Sequence, residues 1–384
     1  MRPSPRLASI SPRSLVSLGS LGSLGCLALS LAACGGDGGG GATPDGGGPA
    51  CQPAAAVAVA PTGTLLGVGF EGGAPRALIA RDGASPDLVL VDAAGAARVL
   101  WTGAIAGAAL DPAPDGALCA AWVGVDRSFH SACAPGWAVT TPSFAIEQSE
   151  GELAFAHPTR ACGFGQCVDA PSAVVLYSDI AIGAVVDEGS GWVDQELYTS
   201  SISAFGEATV AGGLPWACFL GPTNELSVLG SNRFGELRGL ATDTTIGAPY
   251  ACRIATAGPR VYIAARGSAG GVLDWFDWSV GSTEDPRPTL QSVALPAAVV
   301  EARAQLAVVG RDGADPGVDV LFTTDAAVQQ AHFSSASGAF GPVSPVAALA
   351  GVASPQKLAA RRAGGATAIA VQAASGVYLA QTCE

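Results

Sequence analysis

Ala77-Leu78-Ile79-Ala80-Arg81-Asp82-Gly83-Ala84-Ser85-Pro86-Asp87-Leu88-Val89-Leu90 reads as a strand, a polar turn and a second strand. Aliphatic residues fill both flanks, and Asp, Gly, Ser and Pro supply the turn. The pattern recurs at Leu306-Ala307-Val308-Val309-Gly310-Arg311-Asp312-Gly313-Ala314-Asp315-Pro316-Gly317-Val318-Asp319-Val320-Leu321. A looser copy runs from Val261 to Leu273, and similar hairpins begin near Ala117, Leu153, Trp216 and Thr367. Helical periodicity is almost absent. The alanine-rich stretch Val343–Ala360 contains Pro345 and Pro355, so it is expected to be loop and strand.

Seven such hairpins fall in residues 51–384, about 48 residues apart, which is the spacing of four-stranded propeller blades. A single four-stranded sheet cannot bury both faces, whereas blades packed in a ring can. The expected fold is therefore all-β, a single propeller of about seven blades. The alternative is a pair of β-sandwich domains divided near residue 205.

This region holds eight cysteines: Cys51, Cys119, Cys133, Cys162, Cys167, Cys218, Cys252 and Cys383. An even number in an exported chain implies disulfides. Proximity suggests Cys119 with Cys133, Cys162 with Cys167, and Cys218 with Cys252. Cys51 and Cys383 remain, and their bridge would join the two ends of the domain and seal a ring.

Ahead of the domain, residues 1–33 carry Arg2, Arg6 and Arg13, then an apolar run diluted by Ser and Gly, then Leu31-Ala32-Ala33-Cys34. The run is too weak for a spanning helix. Leu31, Ala32, Ala33 and Cys34 together resemble the lipobox of bacterial lipoproteins. The resemblance implies cleavage after Ala33, lipidation of Cys34, and stable anchoring by two or more acyl chains. Gly35 follows the cysteine in place of Asp, which by the enteric sorting rule implies an outer-membrane lipoprotein. The alternative is an ordinary secretory signal that leaves Cys34 as a plain thiol. Residues 34–50 are then the lipidated cysteine and a glycine-rich tether, spanning roughly 20–25 Å.

Removing the three arginines of the signal leaves 16 basic against 32 acidic residues, a formal charge of −16. Such a chain repels phosphate backbones and anionic lipid surfaces. No nucleic-acid partner is expected, and the membrane contact falls to the lipid.

No compact catalytic motif stands out. Gly67-Val68-Gly69-Phe70-Glu71-Gly72 has dinucleotide spacing but leads into another strand rather than a helix. The Asp-Gly turns, with Asp82 and Asp87, and Asp312, Asp315 and Asp319, resemble the loops of calcium-binding FG-GAP-like propeller repeats. Those loops place ligands two residues apart, whereas the spacing here is three and four and suits hairpin turns. No calcium, other metal or cofactor is expected. His130, His157 and His332 lie far apart in sequence. Neither a Gly-x-Ser-x-Gly elbow nor the Ser-x-Asp-x-Gly-x-x-Trp box of sialidase-type propellers occurs. The aromatic cluster Trp275-Phe276-Asp277-Trp278 is either inter-blade packing or a platform for sugar or peptide, with Trp275 and Trp278 as candidate contacts.

The expectation is a lipid-anchored, non-catalytic binding or scaffold module of the cell envelope, with a glycan or an envelope protein as partner. The alternative is an envelope glycan hydrolase or lyase whose site is assembled at the propeller's channel mouth.

Overall fold

The computed structural model describes residues 51–146, 153–163, 166–169, 171–178, 182–187, 189, 191–198, 204–220, 226–230, 233–238, 250–267, 270–277, 290–301 and 305–383. Residues 1–50, which include the expected signal, Cys34 and the expected tether, lie outside the described residues. Met1–Ala50 and Cys51–Glu384 form separate units.

Among the described residues of Cys51–Glu384, seven antiparallel sheets form a seven-bladed β-propeller, with one further two-stranded hairpin, Arg160–Gly163 with Gln166–Asp169. The innermost strands of blades 1 to 7 are Thr64–Glu71, Ile105–Pro112, Ala154–Ala156, Ala204–Ala211, Tyr250–Ala257, Leu306–Arg311 and Pro355–Ala363. Each packs on the next, and the last packs on the first, so the ring closes. A short helix, Ala297–Glu301, is an exception to the all-β pattern. The alanine-rich stretch forms a brief 3-10 turn at Ala347–Leu349 before the strand Pro355–Ala363.

Period-two alternation explains the core. In the strand Asp87–Asp92, Leu88 and Leu90 face blade 2, while Val89 and Val91 face blade 7. Both faces of a blade are buried, so its strands are apolar at successive positions rather than alternate ones. Among the described residues there are seven apolar clusters, one at each blade interface. Near the axis the inner strands crowd. A Cβ on Gly310 would sit 1.7 Å from the Thr256 carbonyl oxygen of the neighbouring blade, so that position accepts hydrogen alone.

The N-terminal strand Ala54–Ala60 pairs with the C-terminal strand Gly376–Cys383 and supplies the outermost strand of blade 7. Three disulfides join described residues. Cys51–Cys383 staples this closure, with Cα atoms 5.8 Å apart. Cys119–Cys133 ties two directly opposed residues within blade 2. Cys218–Cys252 crosses from blade 4 to blade 5. Gly206 leaves room for it, since a Cβ there would come within 2.7 Å of both sulfurs. Cys162 and Cys167 face each other in the register of the added hairpin. Three disulfides are the chemistry of an exported domain.

Blade 2 departs from the pattern. It carries three strands among the described residues. In place of a fourth, residues 134–146 fold back and make isolated bridges, Ser131 with Thr140 and Ser128 with Ala145. Ile146 plugs into the core below, fully buried.

Candidate functional site

All seven inner strands line a central cavity of about 660 Å³. Its walls are mostly small and apolar, with Gly67, Ala109, Ala154, Ala208, Ala255 and Ala359 among them. Polar groups gather towards the C-terminal ends of the inner strands. Asp111 is the next-to-last residue of the inner strand of blade 2, His157 follows that of blade 3, and Arg361 lies near the end of that of blade 7.

These three side chains meet. His157 Nδ1 donates to Asp111 Oδ2 at 2.9 Å, and Arg361 Nη2 donates to Asp111 Oδ1. The Asp111 side chain is only 4% exposed, so its charge stands on these two partners. Arg361 reaches Asp111 from a blade that is not its neighbour, past blade 1, whose inner strand offers Gly67 at the cavity wall. Beside them, Arg362 donates to the Gly310 carbonyl at 2.9 Å and approaches Asp319 at 3.3 Å. Asp319 also accepts from His332 Nδ1 at 2.8 Å. Asp312 accepts from the Gly258 backbone N–H at 2.8 Å. The mouth is thus rich in charge, and its charges are largely paired with one another.

A second cavity, of about 640 Å³, opens between blades 2 and 3. One wall is the fold-back segment, with Trp137, Thr140, Ser143 and Phe144. The other is the end of blade 3, where Ala173, Asp187 and Trp192 stand side by side in register and His157 follows the inner strand. His157 therefore lines both cavities, and they share one face of the ring.

Trp275 lies elsewhere. It is 7% exposed and packs against Phe333, ring centroids 4.8 Å apart, in the core between blades 5 and 6. Phe276 points the opposite way, into the core between blades 4 and 5. Trp275 is inter-blade packing and offers no platform, because a strand buried on both faces spends its aromatics on its neighbours. Trp278 lies outside the described residues. His130 is also structural. It packs against both Trp101 and Trp122, at centroid distances of 4.0 and 5.5 Å, and bonds Ser128 and Thr141. Asp82 and Asp87 serve turn and strand, with Asp87 paired to Arg81. Among the described residues no group of three His, Cys, Asp or Glu side chains is arranged to hold a metal ion.

The residues of the mouth and the inter-blade pocket were not legible as motifs. Asp111 and Arg361 are 250 residues apart and meet only through ring closure. Trp192 had a usable signal: it follows Gly189-Ser190-Gly191 and begins a strand, where an aromatic stands at a blade's rim.

No protein-family model matches the chain, and no curated protein matches it in sequence. Solved structures match in shape. The BBS1N chain of a complex with ARL6DN gives a TM-score of 0.52 at 12% identity, over 87% of this chain and 96% of that one. A lectin of Aleuria aurantia in complex with α-methyl-L-fucoside gives 0.45 at 13% identity, over 83% and 91%. The α-L-arabinofuranosidase arb93a of Fusarium graminearum gives 0.47 at 8%, over 73% and 93%. At these identities the likeness is one of fold. The class defined here is a disulfide-stapled seven-bladed β-propeller.

Proposed function

We propose that the protein is an exported binding module of the cell envelope, held to the outer membrane by lipid on Cys34 and presenting one face of a rigid ring to its ligand. The supporting observation is the state of the mouth. Asp111 has both carboxylate oxygens engaged, by His157 and Arg361, which suits a fixed recognition surface better than a general base or nucleophile. The glycine-rich tether of residues 35–50 gives the ring freedom to find its partner.

Cell fractionation tests the anchor. The wild-type protein is expected in the membrane fraction and Cys34→Ser in the soluble fraction. Retention of the variant in membranes contradicts lipidation there.

One observation favours a second reading, a glycan hydrolase or lyase: three polar residues from three blades converge at the mouth. That reading requires an activity abolished by Asp111→Asn. The binding-module reading requires no such activity.

A further inference from the structure

We infer that the pocket between blades 2 and 3 binds a neutral saccharide ring, with Trp192 as its stacking surface and Asp187 as the acceptor of its hydroxyls. The inference rests on the reading of the protein as a binding module, but its pocket shares only His157 with the paired charges of the mouth, and neither Asp111 nor Arg361 lines it.

The pocket lies where, among the described residues, blade 2 has a fold-back in place of a regular fourth strand. The fold-back segment stands away from blade 3 and leaves about 640 Å³, within the range of roughly 300–1,000 Å³ usual for small-ligand sites. Its aromatic wall is rigid. Half-buried Trp192 meets fully buried Phe129 at 62°, centroids 4.8 Å apart, and Phe144 stacks on the same ring at 6.3 Å. A fixed indole lining a cavity presents an apolar surface at little entropic cost.

The polar groups are placed for hydroxyls. Asp187 Oδ1 accepts from the backbone N–H groups of Gly189 and Gly191 at 2.8 and 3.2 Å. These bonds hold the carboxylate still, and Oδ2 takes no partner among the described residues. Thr140 and Ser143 add exposed hydroxyls on the opposite wall. A purely apolar ligand would strip water from these groups and return nothing. An anionic ligand would meet Asp187 and the acidic surface of the whole chain. A neutral ring with one apolar face and a rim of hydroxyls satisfies both walls.

The test uses the mature protein in detergent on an array of neutral, sialylated and amine-bearing oligosaccharides, followed by titration of the best-bound glycan with tryptophan fluorescence as readout. We expect binding to a neutral glycan. Trp192→Ala should weaken it by at least about tenfold. Asp187→Asn keeps an oxygen for the two backbone N–H groups but loses the free acceptor, and should also weaken binding by about tenfold. It carries the test if Trp192→Ala does not fold. The soluble Cys34→Ser form should bind as the wild type does, so a failed anchor and a failed pocket give different results. Absence of neutral-glycan binding, preference for sialylated or amine-bearing glycans, or unchanged binding by Asp187→Asn would overturn the inference.

Discussion

The seventh and second blades meet the same problem, an exposed outer edge, in opposite ways. Blade 7 borrows the strand Ala54–Ala60 from the other end of the chain and staples it through Cys51–Cys383. Among the described residues, blade 2 has no regular fourth strand and covers its edge with the fold-back of residues 134–146. Its own disulfide, Cys119–Cys133, spans a hairpin whose register already brings the two residues together. The difference separates two tasks. Closure needs a strand in full register, because every inter-blade core depends on the ring being shut. A ligand pocket needs a departure from register, because a complete fourth strand would fill the space.

Breaking the closure should have the larger effect. Cys51 and Cys383 are 332 residues apart, and in the chain-entropy account a bridge of that span is worth roughly 5–6 kcal/mol. Calorimetry of Cys51→Ser should show the melting temperature fall by roughly 10 °C. Cys119→Ser tests the other side of the comparison. With a separation of 14 residues in a preformed hairpin, its cost should stay below about 3 kcal/mol. Equal losses in the two variants would show that closure carries no special weight.

The smallest effect belongs to His130, the buried imidazole of blade 2. Burial against the two indoles pushes its pKa below the usual imidazole range, and Asp126 opposes the shift in part. The unfolded chain therefore takes the proton first. Nothing is lost above the unfolded value of about 6.5; stability then falls as pH drops from there towards the folded value. His130→Gln should flatten that fall, measured as urea midpoints at about pH 7 and about pH 5. An unchanged slope would place the acid sensitivity elsewhere.

The blade count was legible because each of the seven hairpins read from the sequence lies in a different blade. Their phase was not. The copies at Ala77–Leu90 and Val261–Leu273 cover the second and third strands of blades 1 and 5, but the copy at Leu306–Leu321 covers the first and second strands of blade 6. Asp, Gly and Pro make a tight turn between any two adjacent strands, so turn chemistry marks spacing without marking position in the blade. The aromatic cluster at Trp275 is distinctive in sequence for the same local reason, whereas its role is decided by two flanking blades. The mouth residues Asp111, His157 and Arg361 are ordinary strand-end residues until the ring brings them together. The fold was thus written in local patterns, and the site in closure.

The most direct test of the account is hydrogen exchange of the mature protein with and without a saturating amount of the neutral glycan that binds best on the array. Slowed exchange in residues 134–146 and 187–192, with the closing strands 54–60 and 376–383 slow in both states, is the predicted result. Protection confined to the channel mouth around Asp111 and Arg361, or no protection anywhere, would contradict it.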